Sequence, residues 1–248
     1  MLKKTYIIAD IHGYLKNLVR LLQLLTNCGK ESNHKFIFIG DYIDKGPDSC
    51  GVIDILIEFS KYNECVFLRG NHEYMLTAEN NVEFIEKYGG LKSIESYFGL
   101  SYEKATFETM KSYFYEIRKK GHDKFFTNLK DFVEIGEYYV FHSGYNTKYK
   151  KLEDILLNDR KSLYFSRHEF IENYRLLEGK KIIFGHTAFE NGYRDGYKTG
   201  VNFGVDCGGP LAAYCIETDS FILDDGRYLH KGTKINNKIL GVEKWKKI

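Results

Sequence analysis

Only two prolines and one tryptophan occur among 248 residues, and no apolar run approaches the roughly 18–20 residues a membrane-spanning helix requires. No stretch is of low complexity, and none repeats at the period of a solenoid, so neither a disordered chain nor a repeat array is expected. The five cysteines, Cys28, Cys50, Cys65, Cys207 and Cys215, are odd in number, widely spaced and without a C-x-x-C pair, and so read as reduced packing thiols rather than a disulfide framework. Excess charge of one sign is also missing: the net +2 provides no whole-molecule field for nucleic acid or an anionic membrane. The chain passes from "MLKK" directly into the strand-like "TYIIAD". A cytoplasmic, reducing location is the expectation.

A hydrophobic share of 43% and a charged share of 28% describe an ordinary globular protein, expected as a single domain over 1–248. Tyrosine (20) and phenylalanine (18) are abundant, and many fall in the middle third, where packing of a helical insert explains them better than stacking on bases. The basic end "VEKWKKI" at 242–248 reads as a solvated tail.

The first third alternates strand and helix patterns. "TYIIA" (5–9) precedes Leu15, Leu18, Leu22 and Leu25 on one helical face, then "KFIFI" (35–39), a helix over 50–62 and "CVFL" (65–68). That order is the parallel crossover pattern of α/β architecture. From about Tyr74 to Asp131 the pattern is helical and broken by glycines, as expected of an insert. Strands resume at "EYYVF" (137–141), "KIIF" (181–184), "TGVNFGV" (199–205) and "AAYCIET" (212–218), the last two flanking a Gly-Gly-Pro turn. With no regular helices between them, mixed or antiparallel pairing is expected.

Five loops share one grammar, an apolar strand followed at once by residues that ligate metals: "IIADIHG", "FIFIGDYID", "VFLRGNHE", "YVFHSGYN" and "IIFGHTAF". The C-terminal ends of strands in an open α/β sheet line one crevice, so Asp10, His12, Asp41, Asn71, His142 and His186 are expected to meet there. Carboxylate, imidazole and amide oxygen suit hard-to-borderline divalent metals, and the absence of cysteine argues against a structural zinc site. One tetrahedral ion uses four ligands; six candidates suit two ions sharing a carboxylate.

The order D-x-H-G, G-D-x-x-D-x-G, G-N-H-E, a distant histidine and a G-H resembles the metallo-dependent, calcineurin-like phosphoesterases, and within them the small bacterial and phage serine/threonine phosphatases. The resemblance runs over 5–217 and is least diagnostic at 74–131. It implies an α/β (α+β) fold of two mixed β-sheets in a sandwich flanked by helices, and a dinuclear site at the sheet edge. Asp10, His12 and Asp41 would hold one ion, and Asp41, Asn71, His142 and His186 the other, with manganese expected and iron or zinc the other choices. A hydroxide bridging the ions would attack phosphorus in line. His72 matches the family's general acid, and Asp44 would hold its other ring nitrogen; the bland alternative is a turn cap beside Asn71.

Two phosphate-binding positions depart from the family pattern. Lys45 stands where arginine is usual, giving a point charge without a planar fork, and Arg167 follows "SLYF", where tryptophan is common. Arg69 is expected to support its loop, and Asp206 to hold the His186 loop. His34, His122, His168 and His230 read as surface residues, with His168 near enough to Arg167 to touch substrate. Among a protein phosphatase acting on phosphoserine or phosphothreonine proteins, a symmetrical dinucleoside-tetraphosphate hydrolase and a non-catalytic metal binder, the first is the leading expectation. "DIHG" and "RGNHE" favour it, and the second would need an adenine pocket, for which Tyr97, Phe98, Tyr113 and Phe114 are the candidates.

Overall fold

The computed structural model describes residues 3–26, 33–77 and 82–240. Cys28 and the basic tail at 242–248 lie outside these residues. β1 (Thr5–Ile8), α1 (Leu15–Thr26), β2 (Lys35–Phe38), α2 (Ser49–Ser60) and β3 (Glu64–Phe67) form the expected crossovers, with β1–β2 and β2–β3 parallel. α1 buries Leu18, Leu21, Leu22 and Leu25, the stripe that a period of 3.6 sets on one face.

Helices then follow in series: α3 (Asn71–Thr77), α4 (Val82–Lys87), α5 (Gly90–Phe98), α6 (Phe107–Lys119) and α7 (His122–Thr127). Ile94, Tyr97, Met110, Tyr113, Ile117, Phe125 and Phe126 from these helices share one apolar core with Ile7, Ile37 and Leu56. The helical segment therefore packs on the first sheet rather than standing apart from it.

β4 (Phe132–Ile135) and β5 (Tyr138–Phe141) form a hairpin. After it come α8 (Leu152–Asn158), α9 (Ser162–Phe165), α10 (His168–Glu172), β6 (Lys181–Phe184), β7 (Tyr193–Arg194), β8 (Lys198–Gly200), β9 (Ala212–Cys215), β10 (Ser220–Leu223) and β11 (Tyr228–Leu229). One sheet has the order β11-β10-β9-β1-β2-β3 and the other β4-β5-β6-β8-β7, and both mix parallel and antiparallel pairs. Strand alternation makes the sandwich: Val140 and Ile183 join the core of the first sheet, while Tyr139, Phe141, Ile182 and Phe184 face a second core with α8 to α10.

Three expectations need correction. "TGVNFGV" is extended only through Gly200, because the Asn202 amide turns aside to Asp10 and its Oδ1 accepts from Gly204 N, where φ is +71°. Regular helices do separate the later strands, since α8, α9 and α10 lie between β5 and β6, although the pairing is mixed as expected. His122 is not a surface residue: it is 1% exposed, with Tyr97 Oη 2.6 Å from Nδ1 and Asp54 Oδ1 2.9 Å from Nε2. An apparently polar neighbourhood hid it because both partners are far away in sequence. His34 is half-buried, and His168 and His230 are exposed. Among the described residues, no helix is long and apolar enough to cross a membrane.

Candidate metal centre

The C-terminal ends of β1, β2, β3, β5 and β6 bring Asp10, His12, Asp41, Asn71, His72, His142 and His186 to one place, each nine-tenths or more buried. The backbone there is strained. Of the eight non-glycine residues with positive φ among those described, five are His12, Asp41, Asp44, Lys45 and His186. L-residues avoid this region, so the loops are held in it by packing and hydrogen bonds.

Asp41 lies at the centre. Its Oδ2 is 3.5 Å from His12 Nε2 and 3.9 Å from His72 Nε2, and its Oδ1 is 3.5 Å from His142 Nε2. Such separations exceed a hydrogen bond but match two donors around one ion held at about 2.1 Å from each. His12, Asp41 and His72 form one group of donor atoms within 4.8 Å of one another, and Asp41, His142 and His186 form another. Asp41 belongs to both.

The Asn71 amide tests whether a cation fits. As placed, its oxygen faces only acceptors; turned over, its nitrogen would lie 2.9 Å from His186 Nδ1, 3.0 Å from His142 Nε2 and 3.1 Å from Asp41 Oδ2. Lone pairs of a carboxylate, two imidazoles and an amide thus converge on one buried point. They repel one another unless a positive charge sits among them, so the residues fit a divalent ion.

The electrostatics agree. Burial, then the nearby Lys45 charge, pushes His12 down to about 3. Burial likewise lowers His142 and, more strongly, His186, so all three imidazoles are neutral and offer lone pairs. His72 moves the other way: burial opposes its charge, but Asp41 and Asp44 outweigh it and raise the imidazole above its ordinary value. Burial would also raise Asp41, yet its couplings to His142, His72, His12 and His186 lower it, and of these rings His72 is the one that keeps a charge.

Asp10 forms the floor of the site and belongs to neither donor group. Both of its oxygens accept from His186 N, at 3.2 and 3.0 Å, and Oδ2 also accepts from Asn202 Nδ2 at 2.9 Å. The ligand rings are fixed from behind by backbone: His12 Nδ1 is 3.0 Å from Ile43 O, and His142 Nδ1 is 2.8 Å from Ile39 O. These contacts point the opposite ring nitrogens at Asp41.

Three supporting residues were not singled out in the sequence. Glu73, fully buried, accepts from Asp41 N at 2.9 Å, Tyr42 N at 2.8 Å and Gly70 N at 3.0 Å, tying two metal loops together. Burial and the Asp41 charge raise it to about 7. The "GNHE" motif contains it, but the motif alone does not show that its carboxylate turns back to the N–H groups of Asp41, Tyr42 and Gly70. Asn202 and Ser93 left no local signal, since their partners, Asp10 and Asp44, are distant in sequence.

Gly70 is required by close approach. A Cβ there would collide with the Asp41 carboxylate and stand 2.8 Å from Glu73 Oε2. Gly70→Ala is expected to weaken Mn²⁺ binding by about 10–100-fold in calorimetric titration and to destabilise the fold by about 1–3 kcal/mol. Unchanged affinity would show that Asp41 tolerates displacement.

A cleft of about 620 Å³ opens over this cluster. Lys45 and Arg167 line it with the metal-type residues, and Lys87, Met75, Tyr88 and Phe165 form further wall. The Lys45 side chain, 34% exposed, places Nζ 2.9 Å from His12 Nε2 and donates to Asp206 Oδ2 at 2.8 Å. Asp206 therefore faces Lys45 rather than holding the His186 loop, which Asp10 does. Arg69 donates to Phe126 O at 3.2 Å, a loop-supporting contact. His168 lines a neighbouring pocket that shares Phe165 and Arg167 with the cleft. The insert's aromatics take the packing role rather than forming an adenine pocket: Tyr97 and Tyr113 are buried, and Phe98 and Phe114 pack on the core, because their helical period turns them inward. Tyr88 and Phe165 are the cleft's aromatic residues.

Comparison with known proteins places these features in a family. The chain is 34% identical over 110 residues to the asymmetrical bis(5'-nucleosyl)-tetraphosphatase of Oceanobacillus iheyensis, covering 41% of this chain and 43% of that protein. It is 35% identical over 89 residues to a PP2A-like serine/threonine-protein phosphatase of Candida albicans, covering 34% of this chain and 21% of that one. The chain thus spans less than half the length of either relative. A cold-active protein-tyrosine phosphatase of a psychrophilic Shewanella species shares the fold at a TM-score of 0.63 and 15% identity, covering 93% of this chain and 80% of that one. The model of the calcineurin-like phosphoesterases matches residues 3–212, and the chain belongs to that family.

Proposed function

We propose that the chain is a phosphomonoesterase using two divalent ions, and that its substrates are proteins or peptides phosphorylated on serine or threonine. The observation behind this is Asp41 shared by two groups of donors, with the Asp44–His72 pair directly beside it. Asp10, His12 and Asp41 would hold one ion, and Asp41, Asn71, His142 and His186 the other. Bound there, such ions would supply charge to offset a phosphate dianion and would lower the pKa of water. Manganese is the proposed metal, because mixed oxygen and nitrogen donors accept several first-row ions and availability decides among them; iron and zinc are the other choices.

The protein's own groups supply orientation and a proton. His72 donates Nδ1–H to Asp44 Oδ2 at 2.7 Å, which leaves the Nε2 proton aimed at the cleft, 3.9 Å from Asp41 Oδ2. That proton goes to the leaving alkoxide, and the two carboxylates favour the charged imidazole that provides it. Arg167 and Lys45 hold the phosphate oxygens that face away from the metals. No nucleic acid or membrane is proposed as partner, given the balanced charge. Cys50, Cys65 and Cys215 form no disulfide among the described residues, in keeping with the reducing, cytoplasmic setting proposed.

Lys45 is already engaged by Asp206, so only part of its charge reaches the phosphate. Lys45→Arg is expected to lower KM several-fold on every substrate tried, with kcat little changed, because a fork adds a second hydrogen bond. An unchanged KM throughout would mean that Lys45 does not hold the phosphate.

A second reading is hydrolysis of dinucleoside polyphosphates, for which the notable support is the Oceanobacillus relative and the Tyr88 and Phe165 rings in the cleft. The symmetrical mode of cleavage has no support from that relative, whose name specifies the asymmetrical one. The Mn²⁺-loaded protein, assayed with phosphoserine and phosphotyrosine peptides, p-nitrophenyl phosphate and diadenosine tetraphosphate, separates these readings by kcat/KM. A preference for phosphoserine peptides supports the first; a preference for the dinucleotide replaces it.

A further inference from the structure

Asp44 reaches His72 with one of its two oxygens. Oδ2 accepts from His72 Nδ1 at 2.7 Å, while Oδ1 accepts from the Ser93 hydroxyl at 2.5 Å. Ser93 Oγ also accepts the Asp44 N–H at 2.8 Å and stands 2.9 Å from Ser49 Oγ, which lies 3.0 Å from the same nitrogen. Both serines are fully buried. Asp44 itself has φ +73°, a conformation that an aspartate does not favour, so these bonds rather than intrinsic preference hold its backbone and carboxylate.

We propose that Ser93, supplied by α5 from the helical segment, is a positioning residue for proton transfer by His72. The inference rests on the reading of His72 as general acid. The terminal torsion of an aspartate is broad, so a carboxylate held at one oxygen only can swing. Ser93 fixes the second oxygen, which sets the plane of the carboxylate, the direction of His72 Nδ1–H and hence the aim of Nε2. Without that hydroxyl, Oδ1 becomes a buried charged oxygen lacking its donor, and the imidazole loses its fixed orientation. The helical segment thereby takes part in the reaction besides packing on the first sheet.

The same helix provides a control. Ser96 Oγ accepts from Cys50 N at 3.0 Å, joining α5 to α2 without touching Asp44 or His72. If Ser93 merely fastened α5 to its neighbours, removing either serine would have the same kind of effect.

The test compares kcat/KM of the Mn²⁺-loaded protein on phenyl phosphate, whose leaving group needs a proton, and on p-nitrophenyl phosphate, whose leaving group does not. Ser93→Ala is expected to lose about tenfold on phenyl phosphate and less than about twofold on p-nitrophenyl phosphate, with metal content unchanged. Ser96→Ala is expected to leave the ratio of the two rates unchanged. Should Ser93→Ala fail to fold, the nearly isosteric Ser93→Cys, a weak donor, makes the same comparison. An unaltered ratio in the Ser93 variants, beside an altered one in Asp44→Asn, overturns the role of Ser93 alone. An unaltered ratio in Asp44→Asn overturns the general-acid reading on which it rests.

Discussion

Asp41→Asn is expected to lower kcat/KM by about a thousandfold or more on every phosphate monoester, and to reduce bound Mn²⁺ from two ions per chain to at most one. The size follows from position. Asp41 is the sole carboxylate common to both donor groups, and its charge faces the rings of His12, His72, His142 and His186. Asparagine keeps the shape but removes the anion that offsets two dications, and each lost electrostatic contact at a reacting centre costs roughly 10²–10³-fold. The fold should survive. Asp41 N is held by Glu73 Oε2 through the backbone, independently of the carboxylate, so the unfolding midpoint without metal should change little. Calorimetric titration with Mn²⁺ and steady-state kinetics check this together. Two ions bound with full affinity would show that Asp41 does not bridge.

His72→Asn is expected to act on chemistry and leave metal binding intact. Loss of a general acid costs about 10²–10⁴-fold where the leaving group needs a proton. The loss should therefore be large on phosphoserine peptides and phenyl phosphate, and small on p-nitrophenyl phosphate. The geometry also admits a competing role, because His72 Nε2 lies in the same donor group as His12 and Asp41, and its Nδ1 bond to Asp44 is the usual support of a ligand histidine. Metal content decides: a missing ion in His72→Asn, with equal losses on all substrates, would make His72 a ligand rather than the acid.

The strand-end loops were legible because their chemistry is local. "FIFIGDYID" ends β2 and puts Asp41 at the sheet edge whatever the rest of the chain does, and the same holds for "ADIHG" at β1 and "RGNHE" at β3. What supports these loops was not legible, since it depends on approach between distant segments. Ser93 reaches Asp44 across 49 residues, Asn202 reaches Asp10 across 192, and Tyr97 meets His122 only because α5 and α7 both pack on α2. Residue type misled for His122: a histidine amid lysines and a glycine looks exposed until its distant partners, Tyr97 and Asp54, are known. The insert's aromatics were ambiguous instead, because a period of 3.6 describes a core-facing stripe as well as a pocket. Strands β4, β7, β10 and β11 were passed over: β7 and β11 are only two residues long, and all four take their hydrogen bonds from a neighbouring strand, a partnership that no local pattern announces.

The central claim is that two divalent ions sit on either side of Asp41. Anomalous scattering from Mn²⁺-soaked crystals tests it most directly, because it locates the metal without reference to turnover. Two peaks are predicted, one between His12 and Asp41 and one among Asp41, Asn71, His142 and His186. A single peak, or peaks away from Asp41, would contradict the account.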